Sequence, residues 1–177
     1  MTTKNDPVEQ ASVKEFVISR TFEAPRDRMW AAWSERDQLM DWFGPKGFKM
    51  PAAKLEFRGG GTFHYCLESP EGNEMWGKFV YREIVKPERL VWVNSFSDKD
   101  GGITVHPMSP TWPREMLSSA VFEDQGSKTK LTIQWAPVEG STALECKTFE
   151  EGRDSMKMGW SGTFEQFANY LSSITDK

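Results

Sequence analysis

The sequence predicts an α+β domain in which a curved antiparallel sheet of about seven strands is covered on one face by a long C-terminal helix. Three observations predict it. Runs of alternating apolar and polar residues, separated by glycine- and proline-rich turns, occupy most of the chain between Lys54 and Trp135. A helical pattern interrupts these runs only once, directly after the first strand. From Phe149 onward the period changes, and apolar residues recur every three to four positions.

The opening MTTKNDPVEQAS is polar and reads as a tail over residues 1–12, leaving 13–177 as a single domain. The stretch KEFVISRTF puts Phe16, Ile18 and Phe22 on one face of a strand, with Arg20 breaking that face; the residue either meets a buried carboxylate or slides toward water. Pro25 suits the first position of a helix, where its missing N–H costs nothing. Met29, Trp30, Trp33, Leu39, Trp42 and Phe43 then fall at helical spacings. Ser34 with Asp37 three residues on suggests a restart, hence two short helices, which Gly44–Pro45–Lys46–Gly47 stops.

A meander follows. One strand is expected near Lys54–Phe57, a turn at the three glycines 59–61, and a second strand with Phe63, Tyr65 and Leu67 opposite Thr62, His64, Cys66 and Glu68. Glu74–Val85 and Arg89–Phe96 read as the next pair. Glu115–Glu123 and Lys128–Trp135 read as a hairpin around Asp124–Gln125–Gly126–Ser127. In the final helix Phe149, Met156, Trp160, Phe164, Phe167, Leu171 and Ile174 form one stripe. Both Thr142 with Glu145 and Thr148 with Glu151 have capping-box spacing, so two starts are open. Gly152, Gly159 and Gly162 each cost the helix about 1 kcal/mol relative to alanine. Either close packing on the sheet or an open cavity beneath the helix offsets that cost.

The 177 residues suit one core, and 23 of them are aromatic (12 Phe, 8 Trp, 3 Tyr), each able to bury roughly 150–250 Å². A net charge of −4 provides no basic face for nucleic acid. There is no apolar run long enough to span a membrane and no opening signal segment, so cytoplasm is the expected compartment. Cys66 and Cys146 lack metal or redox spacing and read as free thiols, although two cysteines leave one disulfide open.

Catalytic constellations mostly fail. Gly72 to Phe79 has the glycine and lysine spacing of a phosphate loop, but Phe79 stands where Ser or Thr would hold Mg²⁺, and the segment opens a strand. No nucleophile elbow is present. His64 and His106 are the only histidines, 42 positions apart, so no metal site and no cofactor are expected. His64 alternates toward solvent. Neither cysteine has a nominated base. Glu145, Glu151 and Asp154 lie near a helix start, where they complement its dipole. Glu74 and Glu83 could face either way, and one buried among aromatics would have a raised pKa and could act as an acid.

The aromatics are the positive signal. Trp30, Trp33, Trp42, Phe63, Tyr65, Phe79, Trp92, Phe96, Trp135, Trp160 and Phe164, with Met156, are the candidate ligand-binding residues, as apolar walls with a few polar groups make small-molecule sites. Asp98 to Arg114 is long for a meander connection. Its Met108 and Trp112 are expected to cover a cavity entrance, with His106 as the nearest polar group.

Several strings carry a resemblance. RTFEAPRDRMWAAWSERDQLMDWFGP (20–45), EFRGGGTFHY (56–65), KPERLVW (86–92) and MGWSGTFEQFANYL (158–171) are similar, in that order, to the START-like (SRPBCC, helix-grip) proteins of the heat-shock protein 90 ATPase activator-homologue type. The resemblance spans Phe16 to Leu171. It implies a helix-grip fold with a deep apolar cavity between sheet and C-terminal helix. Relatives carry lipids, act as polyketide cyclases or aromatases, or hydrolyse ligands, and others have no assigned activity. The co-chaperone that gives the group its name has a further N-terminal domain; only about a dozen residues precede the first strand here, so that role is not expected. The resulting expectation is a monomer or homodimer that binds a small hydrophobic molecule. The alternatives are a cyclase- or hydrolase-type enzyme using the same cavity, or a stress-related protein-interaction module.

Overall fold

The computed structural model describes residues 14–175, with side chains to residue 173. The tail assigned to 1–12 and the side chain of Ile174 lie outside the described residues. Strand β1 (Phe16–Phe22) leads into α1 (Arg26–Ser34) and α2 (Arg36–Trp42). Then come β2 (Lys49–Leu55), β3 (Thr62–Glu68), β4 (Glu74–Val85), β5 (Arg89–Ser97), the two-residue β6 (Ile103–Thr104), β7 (Met116–Gln125) and β8 (Lys128–Pro137). Two helices close the described chain, α3 (Ala143–Glu151) and α4 (Arg153–Thr175). All strands belong to one antiparallel sheet of order β1-β8-β7-β5-β4-β3-β2, with β6 paired to β5.

The alternation read in the sequence sets which face is buried. Phe16 and Phe22 of β1 point inward, while Arg20 reaches water with its guanidinium 5.2 Å from the centroid of the Phe22 ring. No buried carboxylate meets it among the described residues. Thr129 of β8 donates to the Ala24 carbonyl at 2.8 Å, pinning the turn that enters α1. Pro25 is the N-cap of that helix. The restart falls one residue later than Ser34: the Ser34 hydroxyl bonds back to the Trp30 carbonyl at 2.7 Å, and Glu35 separates the helices.

Strand β2 begins at Lys49, upstream of the expected Lys54, and runs through Pro51. An edge strand tolerates proline because its outward N–H has no ladder partner, and β2 is the sheet's edge. A register shift between Lys49 and Ala52 accommodates it.

The expected single C-terminal helix is two. Thr142 opens α3 with a capping box, its hydroxyl accepting from Glu145 N–H and Glu145 accepting from Thr142 N–H. The second box does not form, because Thr148 lies inside α3, where its hydroxyl bonds back to the Leu144 carbonyl and to Thr111. Gly152 caps α3, and a Cβ there would stand 2.9 Å from the Trp112 ring. Close packing therefore accounts for Gly152, whereas a Cβ at Gly159 or Gly162 would meet nothing within 4 Å.

The core concentrates at the C-terminal half of α4. Phe167 is fully buried, 4.3 Å between centroids from Trp42 and 5.0 Å from Phe22. Trp33 lies 5.0 Å from Trp42, and Trp42 donates its indole N–H to the Ala32 carbonyl at 2.9 Å. Replacing Phe167 with alanine is expected to destabilise the protein by about 3–5 kcal/mol in urea unfolding. A loss below about 0.5 kcal/mol, the range of surface substitutions, would contradict this packing.

Candidate ligand-binding cavity

The backbone of α4 comes close to β1, α2 and α3 but to no strand in the middle of the sheet. Side chains must span the intervening gap. At the C-terminal half they fill it; at the N-terminal half they leave a cavity of about 400 Å³, within the range of small-molecule sites. Tyr65, Phe79, Trp92, Asn94 and Phe96 of β3–β5 form the floor, and Met156, Gly159, Trp160 and Thr163 of α4 form the roof. Met116 of β7 and Trp135 of β8 close one side, Phe43–Pro45 another. His106, Trp112 and Pro113 contribute from the loop after β6.

That loop is positioned by the ladder. Strand β7 pairs with β5 only as far as Asn94, and β6 pairs beyond it with Phe96 and Ser97. The chain thus leaves the sheet at the cavity's end. His106 packs on Phe96 at 4.7 Å, and Trp112 on Phe149 of α3 at 6.1 Å. Glu145 accepts from Arg114 N–H at 2.8 Å, so the capping carboxylate of α3 also holds the loop. Burial pushes the Glu145 carboxyl up, but hydrogen bonds from the Thr142 and Arg114 backbones outweigh it and keep the group below its usual range.

Of the residues named from the sequence, the fold brings eight together around the cavity: Tyr65, Phe79, Trp92, Phe96, Trp112, Trp135, Met156 and Trp160. Six lie elsewhere. Trp30, Trp33, Trp42, Phe63 and Phe164 belong to the buried core and not to this cavity; Trp42, for example, meets Trp33 and Phe167 at 5.0 and 4.3 Å. Met108 is 88% exposed and is not among the residues that line the cavity. Its backbone, not its side chain, serves the site, since Met108 N–H donates to His106 Nδ1 at 3.0 Å. Gly77, Asn94, Met116 and Thr163 escaped the sequence reading. Asn94 alternates in phase with Trp92 and Phe96, a signal that a search for rings passes over.

The wall is poor in ionisable groups. Glu83 is tied to Arg89 at 2.6 Å, and neither it, Glu74, Glu145, Glu151 nor Asp154 lines the cavity. His64 lies outside it, stacked on Trp76 at 4.9 Å and hydrogen-bonded to the Asp98 carbonyl at 3.0 Å. Cys66 and Cys146 are free thiols whose pKa values are pushed up, first by burial and then by neighbouring carboxylates, the reverse of an activated thiolate. Among the described residues no three His, Cys, Asp or Glu side chains converge as a metal site would require. The phosphate-loop spacing at 72–79 lies across a turn and the start of β4, with no helix following. No helix among the described residues is long and apolar enough to cross a membrane.

Burial raises the Tyr65 phenol above its usual value, so it keeps its proton. Burial lowers His106. With Nδ1 accepting from Met108, the neutral ring carries its proton on Nε2. The indole N–H groups of Trp92, Trp135 and Trp160 are buried and find no partner among the described residues.

An antiparallel sheet laid over a long helix, with an aromatic cavity between them, defines a helix-grip protein. The chain belongs to the family described as activator of Hsp90 ATPase homolog 1-like protein, whose model matches residues 23–172. Solved structures agree on the fold. A protein from Nitrosomonas europaea is 20% identical, covers 94% of this chain and 99% of its own, and superposes with a TM-score of 0.71. A protein from Arthrobacter aurescens is 23% identical over 98% of this chain and 92% of its own, at 0.72. One from Mycobacterium smegmatis is 18% identical over 93% and 91%, at 0.70. A search of curated proteins finds no match.

Because folding depresses the His106 pKa, the unfolded chain binds more protons. The associated stability is whole above the ordinary value of 6.5 and falls as pH drops through 6.5 toward the folded value. We predict an NMR midpoint for His106 below 6.5. Part of the stability difference between about pH 7.5 and pH 5.5 should vanish in His106→Gln. A midpoint above that value would show that the ring is not desolvated at the cavity.

Proposed function

We propose that the protein binds a small apolar or aromatic molecule in the cavity between its sheet and α4. The observation that carries this reading is unfilled space lined by rings in a chain that packs its other rings tightly. Protein interiors are normally close-packed, so an apolar void of this size costs stability unless something occupies it. Gly159, exposed and in the cavity lining, leaves that side of the roof open. It sits inside a helix, where glycine is unfavourable, and no neighbour requires it there by close approach. Tyr65 and His106 are the wall's ionisable groups, the first held protonated and the second without a carboxylate partner among the described residues. Such a lining suits holding a ligand better than acid–base chemistry, which calls for groups with matched and opposed pKa values.

Binding of N-phenyl-1-naphthylamine, followed by its fluorescence, tests the reading. Gly159→Ala should stabilise the protein by roughly 0.5–1 kcal/mol through helix propensity. Gly159→Phe should leave the circular dichroism unchanged while weakening probe binding about tenfold or more, as its ring enters the space the probe needs. Equal affinity in parent and Gly159→Phe would place the binding site, if one exists, somewhere other than this cavity.

A further inference from the structure

Resting on that reading, we infer that the ligand carries a hydrogen-bond acceptor, a carbonyl or comparable uncharged oxygen on an aromatic frame, which the Tyr65 hydroxyl and the Asn94 amide hold at the cavity floor. Tyr65 on β3 lies opposite Gly77 on β4, and a Cβ at Gly77 would stand 2.5 Å from the Tyr65 oxygen. The phenol therefore lies across β4 in the space where a side chain would otherwise rise. Its hydroxyl is carried toward β5, whose Phe96 pairs with Gly77 and whose Asn94 pairs with the adjacent Phe79. Both project into the same cavity. The Tyr65 hydroxyl has no hydrogen-bond partner among the described residues, although the structure surrounding it is apolar: Phe43, Phe63 and Phe79 at 5.4, 4.8 and 5.8 Å.

Asn94 is polarised in one sense. Its Oδ1 accepts from the buried Ser118 hydroxyl on β7, which leaves the amide NH₂ as the unpartnered end. An amide nitrogen can only donate. Neutral His106, which also lines the cavity, carries its proton on Nε2. The Thr163 hydroxyl directs its proton at the Gly44 and Gly159 carbonyls, and Ser95 and Ser155 add hydroxyls that can donate or accept. At the floor, however, the Tyr65 hydroxyl and the Asn94 amide are donors without a partner among the described residues, and donors left unpaired beneath a bound ligand are costly. A ligand with accepting oxygen relieves that cost, and one that offers only an N–H does not. Among the described residues no lysine, arginine or carboxylate lines the wall, so the matching acceptor is neutral rather than anionic.

Three nearly isosteric tricyclic compounds separate these ideas: 9-fluorenone presents an acceptor, fluorene neither donor nor acceptor, and carbazole a donor. Displacement of N-phenyl-1-naphthylamine should show fluorenone binding about tenfold tighter than fluorene, the worth of one well-made buried hydrogen bond. Carbazole should bind no tighter than fluorene. Tyr65→Phe removes only the hydroxyl and should reduce the fluorenone advantage several-fold while leaving fluorene affinity unchanged. Asn94→Leu should do the same, and its circular dichroism and melting curve will show whether the fold survives the loss of the Ser118 contact. If the naphthylamine binds but fluorenone has no advantage over fluorene, the inference is overturned and the binding reading stands. An advantage that persists undiminished in Tyr65→Phe also overturns it. If no probe binds at all, the binding reading itself fails.

Discussion

Phe167 wedged against Trp42 and Phe22 is the contact on which the rest of the architecture depends. A single sheet has one concave face to cover, and here one helix lies along it. That helix needs a fixed point. The rings of α1, α2 and β1 supply it at the C-terminal half of α4, in tilted and edge-to-face contacts. Because α4 is one continuous helix of 23 residues, fixing that end also sets where its other end stands relative to the sheet. Its backbone stays clear of the central strands, and the side chains available there do not close the gap.

The cavity is therefore a consequence of geometry as much as of composition. Two devices keep it open and shaped. Gly152 lets Trp112 press against the junction of α3 and α4, so the loop becomes part of the wall instead of hanging free. Gly77 withholds a side chain from the floor, and Tyr65 takes that place from the neighbouring strand. The Glu145 carboxylate serves both the helix start and the loop, coupling the two segments that border the cavity on that side. On the floor the Tyr65 hydroxyl and the Asn94 amide add polar groups to that aromatic lining.

Much of this was legible in the residues. Strand β8 alternates as written, with Leu131 and Ile133 fully buried and Lys128 exposed. The stripe from Phe149 to Leu171 is buried at each of its described positions. The cap at Thr142 was one of two equal candidates, and the helix it starts runs through Thr148, which removes the second. The start of β2 was hidden by Pro51, which is acceptable only because the strand turned out to be an edge. Met108 and Trp112 sit in a segment without periodicity, so nothing local distinguished the one that turns to water from the one that packs.

The sequence by itself determined most of the elements and their order, because periodicity and turn chemistry depend on neighbours a few residues apart along the chain. It could not divide its tryptophans and phenylalanines between a filled core and a cavity wall. Trp33 faces inward from its helix and Trp92 from its strand, and the two rings lie 6.0 Å apart, yet only Trp92 borders the open space. That division rests on the distance between α4 and the central strands at each point along the helix. Only the packing of residues more than a hundred positions apart, Phe22 and Trp42 against Phe167, decides that distance.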